Sequence, residues 1–261
     1  MIEVWSANAS SDHPGELEHR CQSWLTQEEL QRADRFRVLT ARNQHVVGRG
    51  MARRLLSASG LAAVSDDCKS DVAQSLTFQP NELVFSFTQF GKPFVVAPKP
   101  LVRPFNVAHT DGMVLFAGCC GGNVGVDVER ISRRTDVALA ERYFASPEVE
   151  YVMDHHDADA KLRAFLRVWT LKESFIKAIG TGLSMPLADF AFENIDDERP
   201  QVRMLNPSLE DGRQWQFITF SPGDGYVAAL AVGDDDEQPQ PPPPFRTSAT
   251  MNLQRFESLL L

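Results

Sequence analysis

Four residues have the types and spacing to do chemistry together. Asp127 and Glu129 stand two apart in Val124-Gly125-Val126-Asp127-Val128-Glu129, and Glu173 and Lys177 stand four apart in Lys172-Glu173-Ser174-Phe175-Ile176-Lys177. The first segment alternates, with valines at 124, 126 and 128 and Gly125, Asp127 and Glu129 between them. That is the period of a strand, so both carboxylates leave one face with their backbones about 7 Å apart. The second has apolar residues at helical spacing (Leu162, Phe165, Leu166, Trp169, Ile179), which makes Glu173 and Lys177 neighbours at i and i+4 on a helix. Two acids from a strand with an acid and a lysine from a helix can hold a divalent cation against a phosphorylated substrate, because Mg²⁺ takes a few hard oxygen ligands and keeps room for water and phosphate. Each piece also has a plainer reading. Acids on one strand face can be a solvated face, and a Glu–Lys pair at i, i+4 is an ordinary helix-surface pair worth a few tenths of a kcal/mol.

The elements that must position these side chains can be read from pattern. Strands are expected near 2–6, 83–89, 93–96, 105–109, 113–118, 124–129, 190–193, 215–220 and 225–232. Helices are expected near 26–36, 40–59, 136–144, 147–154 and 160–179. Ser146-Pro147-Glu148 is a helix start with Pro just inside it, and Gly180 and Gly182 close the long helix. Met113–Gly118 and the acidic strand, separated by GCCGGN, read as a hairpin with the acids on a central strand. Alternating strands and helices give an α/β (α+β) fold. From Asp234 the chain becomes DDDEQPQPPPPF, a composition for extended linker rather than core. The final MNLQRFESLLL has the pattern of a short amphipathic turn folding back.

The 261 residues carry a formal charge of −9, with 43% apolar and 23% charged residues, an ordinary soluble globular composition. No window approaches a membrane-spanning apolar run, and the N-terminus lacks a secretory pattern. Cys21, Cys68, Cys119 and Cys120 show no metal-finger or C-x-x-C spacing and read as reduced thiols, so a cytoplasmic location without membrane association is expected. The charge is uneven. Between Gln31 and Leu56 seven arginines (32, 35, 37, 42, 49, 53 and 54) face one acid, Asp34. This is either a solvated helix or an anion site. Nucleic acid is disfavoured by the overall charge and the scarcity of interleaved aromatics. No Walker-type phosphate loop occurs, which argues against an ATP-driven kinase.

These motifs resemble those of the Sfp-type 4′-phosphopantetheinyl transferases, within the broad-range holo-carrier-protein synthase superfamily. The resemblance rests on the V-G-V-D-V-E strand and on Trp169-Thr170-Leu171-Lys172-Glu173-Ser174-Phe175-Ile176-Lys177 followed by Gly180 and Gly182. It is extended by Gly91-Lys92-Pro93, by Phe105-Asn106-Val107-Ala108-His109, and by a basic helix ending Arg49-x-x-x-Arg53-Arg54-Leu55-Leu56, over about residues 20–232. Two positions depart from the family pattern: Ala108 replaces a serine, leaving only backbone for a phosphate, and Glu29 falls where the family has a cation.

The resemblance implies a pseudo-twofold arrangement of two similar halves. Residues 1–104 would carry the coenzyme A 3′-phosphate side and 105–233 the metal and catalytic residues, with 234–261 as linker and tail. It implies transfer of the phosphopantetheine arm of coenzyme A to a serine of apo acyl or peptidyl carrier proteins, with release of 3′,5′-ADP, by a monomer. Asp127, Glu129 and Glu173 would bind Mg²⁺ (or Mn²⁺), and Asp127, Glu173 and Lys177 would act in catalysis. Arg32, Lys92, Asn106, Ala108, His109, Lys172 and Lys177 would contact the coenzyme, Lys172 being alternatively a surface lysine and His109 a core histidine. A Mg²⁺-dependent phosphohydrolase and a non-catalytic coenzyme- or anion-binding module remain the competing readings.

Overall fold

In the computed structural model, residues 2–57, 78–234 and 251–260 are described, and they fall into two compact units: Met1–Gly121 with Pro243–Leu261, and Gly122–Pro242. The first unit opens with β1 (Ile2–Ala7), α1 (Glu16–Gln22), α2 (Gln27–Ala33) and the 19-residue α3 (Leu39–Ser57). A hairpin of β2 (Val84–Phe87) and β3 (Pro93–Ala97) and a second of β4 (Phe105–Thr110) and β5 (Met113–Gly118) follow. The chain returns at its end as β11 (Met251–Arg255), so the main sheet of this unit runs β11-β1-β5-β4. β11 lies parallel to β1, and all other pairings in this sheet are antiparallel. Helix α3 packs on β4 and β5 over a core that includes Val46, Met51, Leu55, Phe105, Phe116 and Phe256.

The second unit begins at β6 (Asn123–Arg130) and continues through α4 (Leu139–Tyr143), α5 (Ser146–Met153) and the 22-residue α6 (Ala158–Ile179). It is completed by the hairpin of β7 (Phe190–Glu193) and β8 (Gln201–Met204), then β9 (Trp215–Phe220) and β10 (Tyr226–Gly233). An antiparallel sheet of order β6-β10-β9 carries α6 against β6 and β10. α6 starts because the Asp157 side chain accepts from Ala160 N at 2.9 Å. It stops at Gly180, whose φ of 84° is the left-handed closing conformation that glycine adopts cheaply. Phe165, Leu171 and Phe175 fill its inner face. The α/β fold class expected from the sequence is present, each unit having a sheet with one long helix laid across it, mixed in the first unit and antiparallel in the second.

β5 pairs with β1 and β4 in the first unit, and β6 pairs with β10 in the second. Two expectations change. The strands at 105–118, expected in the C-terminal half, belong to the sheet of the first unit. Cys120 is disulfide-bonded while Cys21 and Cys119 keep their thiols, so the cysteines are not all reduced; spacing along a chain does not reveal a pairing. Cys68 and the proline-rich stretch lie outside the described residues. α1, β8 and β11 were not anticipated. No described helix is long and apolar enough to cross a membrane.

Candidate active site

The site of the second unit is built where α6 crosses β6. Gly125, Asp127 and Glu129 share a face of β6 by alternation, and at Gly125 the helix backbone comes so close that a side chain would collide with Ser174 and Ala178. Glu173 and Lys177 lie immediately beside those two helix positions. Lys177 Nζ donates to Asp127 Oδ1 at 2.5 Å, and Asp127 is 5% exposed. Glu129, 7% exposed, accepts from the guanidinium of Arg133 four residues on.

The charges are coupled. The Asp127 carboxyl is pushed up to about 7: burial raises it most, Lys177 opposes, and Glu173 and Glu129 add to the rise. Burial raises Glu173 also, with Glu129 adding and Lys177 opposing. Lys177 itself is held above the usual lysine range: burial works against its charge, but Asp127, Glu173 and Glu129 together outweigh it. Three carboxylates thus sense one another across a single ammonium. They are hard oxygen donors, and Asp127 Oδ2 is buried with no hydrogen-bond partner, so the set fits a divalent cation by donor type. Among the described residues no group of three acids, histidines or cysteines has a ready-made metal-holding arrangement. As found, Lys177 and Arg133 neutralise two of the carboxylates.

Lys172 requires correction as a coenzyme contact and as a surface lysine. It is fully buried, its Nζ lying 2.7 Å from Glu148 Oε2 and donating to the carbonyls of Leu187 and Phe190 at 2.7 Å each. All three ammonium hydrogens are engaged, and none is left for a phosphate. Glu148 is itself tied down, accepting from Ala145 N at 3.0 Å and Phe192 N at 2.9 Å. Lys172 therefore fastens α6 to α5 and the start of β7. The only trace of its partner in the sequence is Glu148 at the Ser-Pro-Glu helix start.

The remaining candidates lie in the first unit. Arg32 lines a cavity of about 670 Å³ together with Arg35, Phe36, His45, Arg49 and Phe85. Arg49, not singled out from the arginine run, has its guanidinium 5.7 and 5.2 Å from the ring centroids of Phe85 and Phe87. Burial lowers its pKa, and Arg32 and Arg53 lower it further against the pull of Glu29, the electrostatics of a site short of negative charge. Glu29 is occupied structurally, pairing with Arg53 at 2.7 Å and closing the cap of α2 at Thr26. Lys92 follows the turn after β2, where its backbone N donates to Thr88 Oγ1 at 3.1 Å; burial lowers its pKa to about 8, the nearby Cys119 opposing. Along β4, Asn106 and Ala108 are buried while His109 is exposed, so His109 is not a core histidine.

Comparison with known proteins gives the family. Residues 123–231, the span from β6 into β10, match the model of the 4′-phosphopantetheinyl transferase superfamily. The chain is 27% identical over 243 residues to a phosphopantetheinyl transferase of Thraustochytrium sp., covering 88% of this chain and 78% of that one. It is 30% identical over 169 residues to the 4′-phosphopantetheinyl transferase ffp of Bacillus subtilis, covering 64% and 71%. Among solved structures it resembles the holo-[acyl-carrier-protein] synthase of Thermotoga maritima with 25% identity and a TM-score of 0.34, over 43% of this chain and 62% of that one. The chain belongs to the 4′-phosphopantetheinyl transferase superfamily, and it is a transferase.

Proposed function

We propose that this enzyme moves the 4′-phosphopantetheine arm of coenzyme A onto a serine hydroxyl of an apo carrier protein, releasing 3′,5′-ADP, with Mg²⁺ as the metal. The observation that carries the reading is the Lys177–Asp127 pair, flanked by the carboxylates of Glu129 and Glu173 at the crossing of α6 and β6. Asp127, Glu129 and Glu173 would hold the cation, whose chemistry when bound is to neutralise charge on phosphoryl oxygens. Lys177 stays protonated in this surrounding and is a hydrogen-bond donor for a leaving phosphate oxygen. Glu173, raised by its burial, suits the role of acceptor for the serine proton, directly or through water; such a base is worth about 10²–10⁴-fold in rate.

Arg32, Arg35 and Arg49 supply the charge for the 3′-phosphate of the coenzyme, and the aromatic faces of Phe85 and Phe87 lie beside Arg49. Lys92 and His109 are further candidates for coenzyme contacts, and Asn106 and Ala108 would act through the shape and backbone of β4. The test is mass spectrometry of an apo carrier protein incubated with the enzyme and coenzyme A, with and without Mg²⁺. A mass gain equal to the phosphopantetheine arm, dependent on Mg²⁺ and lost in Asp127→Ala and Glu173→Ala, is expected. Release of free phosphopantetheine without modified carrier would overturn it in favour of a hydrolase.

A further inference from the structure

Arg133 is a cation at the carboxylate cluster for which neither fold nor proposed chemistry has a use. It stands three residues beyond the end of β6, in a turn fixed by the bonds Ile131 N to Gly225 O (2.8 Å) and Arg133 N to Arg130 O (3.0 Å). Its backbone is therefore held, while its side chain is 49% exposed and reaches back to Glu129 Oε1. Glu129 is the single side-chain partner of Arg133 among the described residues. Lys177 differs in each respect: it comes from the packed helix α6, is 29% exposed, and senses Asp127, Glu173 and Glu129 at once.

We propose that Arg133 is a built-in competitor of the divalent cation for the carboxylate of Glu129. The proposal rests on Asp127, Glu129 and Glu173 being the cation's ligands. In the metal-free protein the three carboxylates sense one another, and Lys177 pairs with Asp127. The Arg133 guanidinium supplies positive charge on Glu129. A cation at Glu129 and the Arg133 guanidinium draw on the charge of one carboxylate, so each weakens the other's hold on it and the ion pair loosens as the metal enters. The half-exposed arginine swings into solvent at little cost, because no other contact of its side chain is broken. Apparent affinity is reduced by the fraction of molecules in which the ligand is occupied, so Arg133 weakens metal binding by the worth of a partly exposed ion pair. That worth corresponds to about two- to fivefold in dissociation constant.

The experiment is calorimetric titration of Mg²⁺ into the full chain, without carrier protein, for the wild type and four variants checked by circular dichroism. Arg133→Gln should bind Mg²⁺ about two- to fivefold more tightly, and Arg133→Lys should stay near wild type. Arg134→Gln removes the same charge from the adjacent exposed position and should tighten binding less than Arg133→Gln. Unchanged or weaker binding in Arg133→Gln overturns the proposal, as does an equal gain in Arg134→Gln, which would reduce the effect to net charge. Glu129→Gln separates this failure from that of the ligand assignment. If it leaves Mg²⁺ affinity unaltered, Glu129 is no ligand and both readings fall; if it weakens binding while Arg133→Gln changes nothing, only the competition falls.

Discussion

A Cβ on Gly125 would lie 2.1 Å from the carbonyl oxygen of Ser174 and 2.4 Å from the backbone nitrogen of Ala178. Strand and helix meet there backbone to backbone, and the contact lets Lys177 reach Asp127. The glycine two residues before the aspartate thus sets the distance between the two halves of the acidic cluster.

Gly125→Ala should therefore be costly in two ways. The nearest atoms are main chain and cannot rotate aside, so α6 must lift; overpacking of this kind costs about 1–3 kcal/mol or more. Urea unfolding should show that loss. Turnover per folded molecule should fall as well, because the lifted helix carries Glu173 and Lys177 away from β6. Full activity in a stable Gly125→Ala enzyme would mean that the close crossing does not matter to the site.

Removing the ammonium should raise the carboxyl still further. Lys177 holds the Asp127 pKa down against burial and its two acidic neighbours, and the balance is about 7. In Lys177→Met, carboxyl-resolved NMR of the metal-free protein should find Asp127 titrating above its wild-type value. A lower value would show that the pair is not the dominant local interaction.

The same shift predicts a slope in stability. Asp127 titrates near 4 when unfolded and at about 7 when folded, so the folded state binds the proton more tightly. Its contribution is fully present below about pH 4 and is lost as pH rises towards about 7. Glu173, also raised, acts in the same direction. Lys177 stays charged throughout this window and adds no slope. Urea unfolding of the metal-free enzyme between pH 4 and 8 should show this decline, and Asp127→Asn should flatten it whatever its effect on absolute stability.

Lys172 and Glu148 should behave as structural partners. Lys172→Met leaves a buried carboxylate unpaired and should cost about 3–5 kcal/mol, whereas pairing it with Glu148→Gln, which removes the charge and keeps an acceptor for the backbone donors, should recover part of the loss. The Michaelis constant for coenzyme A should not change in whatever fraction folds. A selective rise in that constant would restore Lys172 as a phosphate contact.

Arg32→Ala and Arg49→Ala should each raise the Michaelis constant for coenzyme A by about tenfold or more, the worth of a hydrogen bond to a charged group. They should hardly alter the constant for 3′-dephospho-coenzyme A. Equal effects on both substrates would remove the 3′-phosphate from this cavity.

Much of this was present in the chain itself. Alternation in V-G-V-D-V-E puts Gly125, Asp127 and Glu129 on one face because successive strand residues point to opposite sides, and four-residue spacing puts Glu173 beside Lys177 because a helix turns every 3.6 residues. Caps and turns placed the long helix to within two residues of Ala158–Ile179. What local rules could not reach were relations between distant segments. Nothing within β6 named β10 as its partner, and nothing near Met251 said that it would run beside β1. Nor did the motif distinguish its two lysines. Lys172 and Lys177 are five residues apart, about 140° around the helix, so they face different neighbours: Glu148 in a closed core, and Asp127 at the cluster of acids. The sequence determined which groups could act and on which faces they stand; packing decided which of them were consumed in holding the fold, because burial makes a charge depend on the partner brought to it by another part of the chain.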